Sequence, residues 1–156
     1  MLRTRADIER YLHEHIPLSR DMGVKVVSVD DAGVRLCAPL APNINHRHTV
    51  FGGSASALAI LSAWTLVHVR LQGLPFANRI VIQRNAVEYL KPIRGDFCAF
   101  CPSPPTADWQ RFVGMLTKKA KARIELQADL FSAEERVGTF AGTYVALKRD
   151  HHTSER

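Results

Sequence analysis

Alternating apolar and polar residues predict that most of this chain is β-structure. The clearest alternation runs over residues 119–131, where one face would carry Ala, Ile and Leu and the other Lys, Arg, Glu, Gln and Asp. Turn residues at 30–33 and 132–135 separate neighbouring strands. The other predicted strands cover residues 22–29, 34–40, 80–90, 96–101 and 137–147. Residues 107–116 fit either a short helix or a bulged connection.

Two segments have helical patterns. Residues 4–15 form a short amphipathic helix that Thr4 can cap and Pro17 ends. The run that follows Phe51 is almost wholly apolar as far as Gly73, which corresponds to roughly five helical turns. A helix that is apolar on all sides is expected to be surrounded by protein, and in a chain this short the sheet is the obvious cover.

The predicted order of elements is α-β-β-α-β-β-β-β, without the strand–helix–strand alternation of a doubly wound parallel sheet. We therefore expect an α+β fold in which a mostly antiparallel sheet of five or six strands curves around one long helix. A free face or edge of that sheet would need a cover, which favours an oligomer. We divide the chain into an N-terminal helical segment (1–20), the main domain (21–148) and a polar tail (149–156).

Composition places the chain among globular proteins. It has 156 residues, enough for one domain, with 46% hydrophobic and 23% charged residues. The N-terminus lacks the apolar stretch of a signal peptide, and Ser, Thr and His interrupt the apolar run before Gly73, so no membrane segment is expected. Three cysteines cannot all pair within one chain, which suits a reducing cytoplasm.

The net charge of +6 is concentrated in one basic cluster, consisting of Lys118, Lys119, Lys121 and Arg123. The cluster is either a solvated strand face or a patch for the phosphates of a polyanion or a nucleotide-bearing group. Aromatic residues do not interleave with it, so nucleic-acid binding by base stacking is not supported.

A polar loop leads into the long helix through a glycine doublet, Gly52 and Gly53. The first N–H groups of a helix have no intrahelical partner and carry partial positive charge. Without a Cβ at either glycine, an anion or a polarised carbonyl oxygen can approach them closely. The sequence therefore places the candidate site at this helix start.

Specific residues around that site resemble a known family. The stretch Ala-Pro-Leu-Ala-Pro-Asn-Ile-Asn at 38–45, with Thr-Val-Phe-Gly-Gly-Ser at 49–54 and Trp64, resembles the thioesterase family typified by the C-terminal domain of the YiiD acetyltransferase. Residues 87–96 are also similar to a strand-to-strand element common in hot-dog enzymes. Across residues 20–148 the order of elements resembles the hot-dog fold of acyl-CoA thioesterases and dehydratases.

The resemblance implies a homodimer, or a tetramer built from it, with joined sheets and substrate clefts at the subunit interface. It implies that a backbone N–H of Gly52 or Gly53 polarises the carbonyl of an acyl-CoA or acyl-carrier-protein thioester. Coenzyme A would then be part of the substrate, and no separate cofactor or metal is expected. Lys119 and Lys121 would suit the phosphates of coenzyme A or an acidic carrier protein.

The chain departs from the best-known hot-dog thioesterases in two ways. Those enzymes have a His directly before the glycine doublet, where this chain has Phe51. They also carry an Asp or Glu one to two turns into the helix, and this helix contains no carboxylate. Either the general base comes from elsewhere or the site binds thioesters without hydrolysing them.

Several polar residues are candidates for the missing chemistry. Asn45 either positions water or the thioester, or only shapes the loop. His46 and His48 are either general bases or solvated loop residues. Glu88 either faces solvent or acts as the base near the partner's helix start. The remaining candidates for substrate contact are Asn43, Thr49, Phe51, Ser54 and Asn85, and Ser54 could instead cap the helix.

Four functions follow from these residues. The leading one is thioester hydrolysis by water, and the second is acyl-CoA binding without catalysis. A dehydratase or hydratase would need His46 or His48 together with Glu88, and a nucleic-acid binder rests on charge alone. The C-x-x-C of Cys98 and Cys101 is not expected to bind zinc, because strand alternation directs the two thiols to opposite faces.

Overall fold

The computed structural model describes residues 4–149 of the chain. Within them, the helices are α1 (Arg5–His15), α2 (Pro17–Asp21), α3 (Gly52–Leu71) and α4 (Thr106–Lys119), and a single 3-10 turn covers Ala41–Asn43. The strands are β1 (Lys25–Asp30), β2 (Gly33–Ala38), β3 (Asn78–Tyr89), β4 (Phe97–Pro102), β5 (Lys121–Ser132) and β6 (Glu135–Lys148). All but residue 149 of the predicted tail lies outside the described residues.

The six strands form one antiparallel sheet in the order β1-β2-β4-β5-β6-β3. Helix α3 crosses one face of this sheet and contacts β2, β3, β4, β5 and β6. The alternation predicted for β5 is present, because Ala122, Ile124, Leu126, Ala128 and Leu130 are all buried. The predicted α+β class and the long central helix are therefore confirmed.

Three local features were not fixed by the sequence patterns. Pro17 ends α1 but also begins α2, where its missing N–H costs nothing because the first helical N–H groups have no intrahelical partner. Residues 107–116 belong to helix α4, which buries Phe112 and Leu116 at i, i+4 spacing. Ala120 then adopts a left-handed φ of 62°, so the chain turns there and β5 begins two residues later than predicted.

Helix α3 is covered on one side only. Ten of its twenty residues are buried. Gly53 is exposed, and Ala57, Ile60 and Trp64 along the same helix are half-buried. The sheet of a single chain therefore does not cover the helix on all sides, although the sequence had led us to expect that it would. By length and composition α3 could cross a membrane. The core helix of a soluble protein meets the same criterion, and 56% of the most apolar eighteen-residue stretch of α3 is buried here.

The cysteines give a result that the sequence did not predict. Cys37 and Cys98 face each other across β2 and β4 and form a disulfide. Cys101 is a free, buried thiol. Its register partner Val34 is also buried, so Cys98 and Cys101 lie on opposite faces of the sheet, as strand alternation predicted.

Strand β3 occupies one edge of the sheet. It pairs only with β6, and its other edge is free within the described residues. This position explains its polar residues, since Gln83, Arg84, Asn85 and Glu88 are all exposed.

Candidate active site at the start of the central helix

Asn45 organises the loop before α3. Its Oδ1 accepts hydrogen bonds from the backbone N–H groups of Arg47 (2.9 Å) and Thr49 (3.1 Å), and its Nδ2 donates to Oγ1 of Thr49 at 2.9 Å. Its own N–H donates to the carbonyl of Thr49 at 2.8 Å. These contacts fit the interpretation that Asn45 shapes the loop, and Thr49 is its main hydrogen-bond partner.

Asn43 lies beneath the same loop and is 2% exposed. Its Nδ2 donates to the carbonyl oxygens of Met22 (2.9 Å) and Pro39 (2.8 Å), and its carbonyl accepts from the N–H of Phe51 at 2.8 Å. Its Oδ1 is buried without a partner. Asn43 thus anchors the residue from which α3 begins, and its side chain does not face the surface.

The first turn of α3 leaves two N–H groups unused. The carbonyl of Phe51 accepts from the N–H groups of Ser54 (2.9 Å) and Ala55 (3.2 Å). Within residues 4–149, the N–H groups of Gly52 and Gly53 have no acceptor, and no side chain caps the helix. Phe51 is the N-cap residue, so the expectation that Ser54 caps α3 is wrong; Ser54 lies inside the first turn.

Two aromatic side chains lie against the glycines at the start of this helix, and one of them, Phe51, leaves no room for a side chain at Gly53. A Cβ on Gly53 would lie 2.4 Å from Cε1 of Phe51, so the Phe51 ring occupies the space of a side chain. A Cβ on Gly52 would lie 3.4 Å from the hydroxyl of Tyr89, at ordinary contact distance. That hydroxyl donates a 2.9 Å hydrogen bond to the carbonyl of Gly52.

A cavity of about 370 Å³ opens beside Gly52. Its wall is mostly apolar and includes Val50, Ala55, Leu90 and Ile93. Its polar groups are the Tyr89 hydroxyl and Lys91, whose ammonium pairs with Glu135. No carboxylate or imidazole lines the cavity within the described part of the chain. The helix start is thus accessible to a ligand, but the described residues that line the cavity supply no obvious general base.

The other sequence candidates are distributed around the fold. His46 and His48 are exposed on the loop, and His48 adopts a left-handed φ of 60°. On β3, Asn85 pairs with the buried Gly142, which shares a face of β6 with Tyr144 and therefore lies on the α3 side of the sheet, whereas Glu88 pairs with Thr139 on the opposite face. This placement does not support a base role for Glu88.

Lys119 and Lys121 lie at the other end of the sheet from the glycine doublet. Lys121 pairs with Leu147, which also pairs with Arg79 near the start of β3, whereas Tyr89 ends that strand. Ten residues of strand separate Arg79 from Tyr89, or roughly 33 Å. The two lysines of this chain therefore do not lie at its cavity.

Tyr89 and Lys91 were not singled out from the sequence. Both fall in the stretch 87–96 that resembles hot-dog enzymes, and Pro92 marks the end of the strand there. A polar-tipped aromatic residue at the end of a strand was the available signal. Its contact with Gly52, 37 residues away, was not visible in any local pattern.

Comparison with known proteins agrees with this architecture. The profile of the family described as "Putative thioesterase (yiiD_Cterm)" matches residues 5–148. A protein of unknown function from Chlorobaculum tepidum is 30% identical with a TM-score of 0.86, and the match covers 93% of this chain and 94% of that one. A Shewanella oneidensis protein described as a "putative thioesterase" is 30% identical with a TM-score of 0.78, over 92% and 96% of the two chains.

A more distant structure shares the fold. The thioesterase HI1161 from Haemophilus influenzae is 13% identical with a TM-score of 0.70, over 98% of this chain and 100% of that one. The chain therefore has the hot-dog fold and belongs to the family described as "Putative thioesterase (yiiD_Cterm)".

Proposed function

We propose that this protein hydrolyses acyl thioesters at the start of α3. The observation that carries the proposal is the pair of unpartnered N–H groups on Gly52 and Gly53, of which Gly52 lines the cavity. In the reaction, water attacks the thioester carbonyl carbon, and the carbonyl oxygen becomes negatively charged. The tetrahedral intermediate then expels the thiolate, which takes up a proton, and leaves a carboxylic acid.

Backbone N–H groups held in place suit this chemistry because they need no reorganisation when the charge develops. Losing one such donor typically costs about 3–4 kcal/mol of transition-state stabilisation. Family membership supports the same reaction class. The apolar wall around Val50 and Ile93 would accept the acyl group of the substrate.

The active form in this proposal is a homodimer joined through β3. The twelve-residue edge strand, with exposed Val81 and Tyr89 and with exposed Leu90 directly after it, presents unpaired backbone groups and apolar surface together. Pairing β3 with a second β3 in antiparallel orientation would satisfy these groups by two-fold symmetry. The half-exposed flank of α3 would then face the partner.

The same pairing gives the basic residues a role. Antiparallel β3 strands bring the Tyr89 end of one protomer beside the Asn78 end of the other. The start of β5 at Lys121, and Lys119 at the end of α4 just before it, would thereby approach the cavity across the interface, at a lateral distance of about 15 Å, or three strand spacings. Lys121 lies on the face of the sheet away from α3, as Glu88 does, so its side chain would reach the cavity around the end of the strand. We propose that these lysines bind the phosphates of coenzyme A or an acidic carrier protein. Such substrates imply a cytoplasmic protein, and the Cys37–Cys98 disulfide is the feature that weighs against that location.

Acyl-CoA binding without hydrolysis is the second candidate. It is favoured by the cavity lining, which holds no carboxylate or imidazole among the described residues. The same observation gives no support to a dehydratase, which needs both groups at its cleft.

A matched pair of substitutions at Gly52 tests the oxyanion role. Gly52→Pro removes the N–H at the first helical position, where proline is well tolerated. Phe51 before it already has a ψ of 131°, which a following proline requires. Gly52→Ala keeps the N–H, and its Cβ fits at 3.4 Å from Tyr89. We expect the wild type and Gly52→Ala to release free thiol from acyl-CoA substrates.

We expect Gly52→Pro to lower kcat by roughly a hundredfold or more relative to Gly52→Ala. Equal turnover by the two variants would show that the N–H of Gly52 does not donate to the oxyanion. If no acyl-CoA of any chain length releases thiol while calorimetry detects saturable binding, the protein is a binder and not a hydrolase.

The loop histidines are tested separately, because they are the imidazoles nearest to the glycine doublet in sequence. His46→Gln and His48→Asn should each keep the loop folded, since both side chains are exposed and Asn, like His, is tolerated at the left-handed φ of residue 48. If the rise of the hydrolysis rate with pH near neutrality is lost in one variant, that residue is the general base. Unchanged profiles in both would assign no base role to either residue.

A further inference from the structure

A second cavity lies at the opposite end of α3. Its volume is about 600 Å³, and it is enclosed by the turn between β1 and β2, the last turns of α3 and the segment from β4 into α4. Arg70 lies eighteen residues after Gly52 on α3, a separation of about 27 Å along the helix axis. The cavity is therefore separate from the site at the glycine doublet.

The walls of this cavity combine apolar surface with one cation. Val34 and Leu66 are buried within it, and Val69 and Trp109 are half-buried at its sides. Arg70 is half-buried among them, with its guanidinium carbon 5.9 Å from the centre of the Trp109 ring. A cation held against apolar surface is more weakly screened by water than one at a solvated face.

Hydrogen bonds hold the guanidinium in place. Arg70 donates to Oγ of Ser103, and that hydroxyl donates to the carbonyl of Asp31 at 2.6 Å. The N–H of Ser103 donates to the carbonyl of Ala32 at 2.9 Å. The backbone thus fixes Ser103, and Ser103 fixes Arg70.

Arg70 nevertheless has no anionic partner. No carboxylate oxygen in residues 4–149 lies within 4.0 Å of its guanidinium. A guanidinium has five N–H donors, so the bond to Ser103 leaves most of them available. A fixed, partly desolvated guanidinium without a counter-ion is suited to a carboxylate, which it can bind through two parallel hydrogen bonds.

We propose that this cavity binds a small molecule with a carboxylate head and an apolar body. The carboxylate contacts Arg70, and the body lies against Leu66, Val69 and Trp109. The proposal does not depend on thioester hydrolysis, because it concerns a different end of α3 and its test measures binding alone.

Two acidic residues of the cavity lining bear on the source of such a carboxylate. Asp30 and Asp31 line the cavity and are exposed. Their negative charge would attract an ammonium group on the ligand and would weakly repel a simple fatty acid. Hexanoate and norleucine share the carboxylate and a similar apolar chain, and only norleucine carries the ammonium.

Calorimetry of the full chain with hexanoate, norleucine and hexylamine tests the proposal. We expect saturable binding of at least one of the two carboxylates and none of hexylamine, which lacks the carboxylate. Tighter binding of norleucine would identify an amino-acid-like ligand, and tighter binding of hexanoate a fatty-acid-like one. Failure of both carboxylates to bind at millimolar concentration would overturn the proposal, as would equal binding of hexylamine.

Two variants locate the site. Arg70→Gln should weaken carboxylate binding by about tenfold or more. Arg20→Gln, which removes an exposed guanidinium on α2, is the matched control and should bind as the wild type does. Gln72→Glu adds a negative charge at an exposed residue of the cavity lining and should weaken the binding of hexanoate, which has no ammonium group to offset the repulsion, even if Arg70→Gln fails to fold. Wild-type affinity in Gln72→Glu and in a folded Arg70→Gln would contradict the proposed site.

Discussion

The hydroxyl of Tyr89 donates a 2.9 Å hydrogen bond to the carbonyl of Gly52 and so joins the end of β3 to the first turn of α3. Tyr89 ends the edge strand proposed to form the dimer, and Gly52 begins the helix proposed to hold the oxyanion. The Tyr89–Gly52 hydrogen bond therefore links the proposed dimer interface to the proposed oxyanion site. Pairing of β3 with a partner would restrict Tyr89, and Tyr89 would in turn restrict the direction of the Gly52 peptide.

Tyr89→Phe tests this link. We expect the variant to lower kcat for thioester hydrolysis by up to about tenfold, since one hydrogen bond of about 1 kcal/mol no longer orients the first turn. The unfolding free energy should change little, because Tyr89 is 54% exposed. Steady-state thiol release and urea unfolding measure the two effects.

Tyr144→Phe is the matched control for that substitution. The Tyr144 hydroxyl donates at 2.6 Å to the carbonyl of Ile60 in the middle of α3, and the side chain is fully buried. Its removal should lower the unfolding free energy by about 1 kcal/mol and leave kcat unchanged. A larger loss of kcat in Tyr144→Phe than in Tyr89→Phe would mean that the helix as a whole, and not its first peptide, controls the reaction.

Gly53→Ala tests the packing of Phe51 on the helix start. The new Cβ would lie 2.4 Å from Cε1 of Phe51, so the ring must move, and at 58% exposure it is free to do so. A gain in helix propensity of up to about 1 kcal/mol opposes the cost of that movement. We therefore expect a change in unfolding free energy of less than about 1 kcal/mol in Gly53→Ala.

The same change in a Phe51→Ala background removes the obstacle. There, Gly53→Ala should increase stability by about 0.5–1 kcal/mol, and the double-mutant cycle should show coupling between the two positions. Urea unfolding of the wild type, the two single variants and the double variant gives the four unfolding free energies that the cycle needs. Additive effects would show that the ring does not occupy the Gly53 surface in solution.

The periodic patterns predicted the elements that depend on local sequence. Residues 119–131 alternate strictly, and the apolar run to Gly73 contains no strand-like alternation, so both β5 and α3 could be recognised. Residues 107–116 stayed ambiguous because only Phe112 and Leu116 are fully buried in α4, which is too short a repeat to separate helix from strand.

Pairings between distant residues could not be predicted in the same way. β3 pairs with β6 and not with β4, its neighbour in sequence, so its edge position depends on the whole strand order. The Cys37–Cys98 disulfide follows from the adjacency of β2 and β4. The contact of Tyr89 with Gly52 likewise depends on where β3 ends relative to α3. Each of these features needs the tertiary structure, because no local repeat encodes it.

The capping box of α1 makes a pH-dependent contribution to stability. The N–H of Asp7 donates to Oγ1 of Thr4 at 3.1 Å, and the N–H of Thr4 donates to Asp7 at 3.2 Å. Hydrogen bonding to Thr4 lowers the pKa of Asp7 from 3.8, with a further contribution from the charge of Arg10. A lowered folded-state pKa stabilises the protein above pH 3.8, and this stabilisation is lost as the pH falls through the folded value.

Asp7→Asn isolates this contribution. The stability advantage of the wild type over Asp7→Asn should be constant near neutral pH and should shrink on acidification, as measured by urea unfolding at successive pH values. In a Thr4→Ala background the advantage should be smaller, because the principal hydrogen-bond partner is missing. An advantage that grows on acidification would contradict the assignment.

The three cysteines should react as one thiol and one disulfide. Burial raises the pKa of Cys101 to about 12, although the nearby charge of Arg70 lowers it slightly. Since the thiolate is the reactive form, native protein should take up almost no iodoacetamide near neutral pH. Denatured, unreduced protein should take up one label, and denatured, reduced protein three, as counted by intact mass.

Serine substitutions separate the two kinds of cysteine. The disulfide closes a loop across a sequence separation of 61 residues, for which the chain-entropy model allows up to roughly 4 kcal/mol of stabilisation. Cys37→Ser should therefore lower the unfolding free energy substantially and make it insensitive to reductant, whereas Cys101→Ala should leave the reductant sensitivity intact. Three labels on denatured, unreduced wild type would show that Cys37 and Cys98 are thiols in solution and would restore the prediction of a chain kept in a reducing compartment.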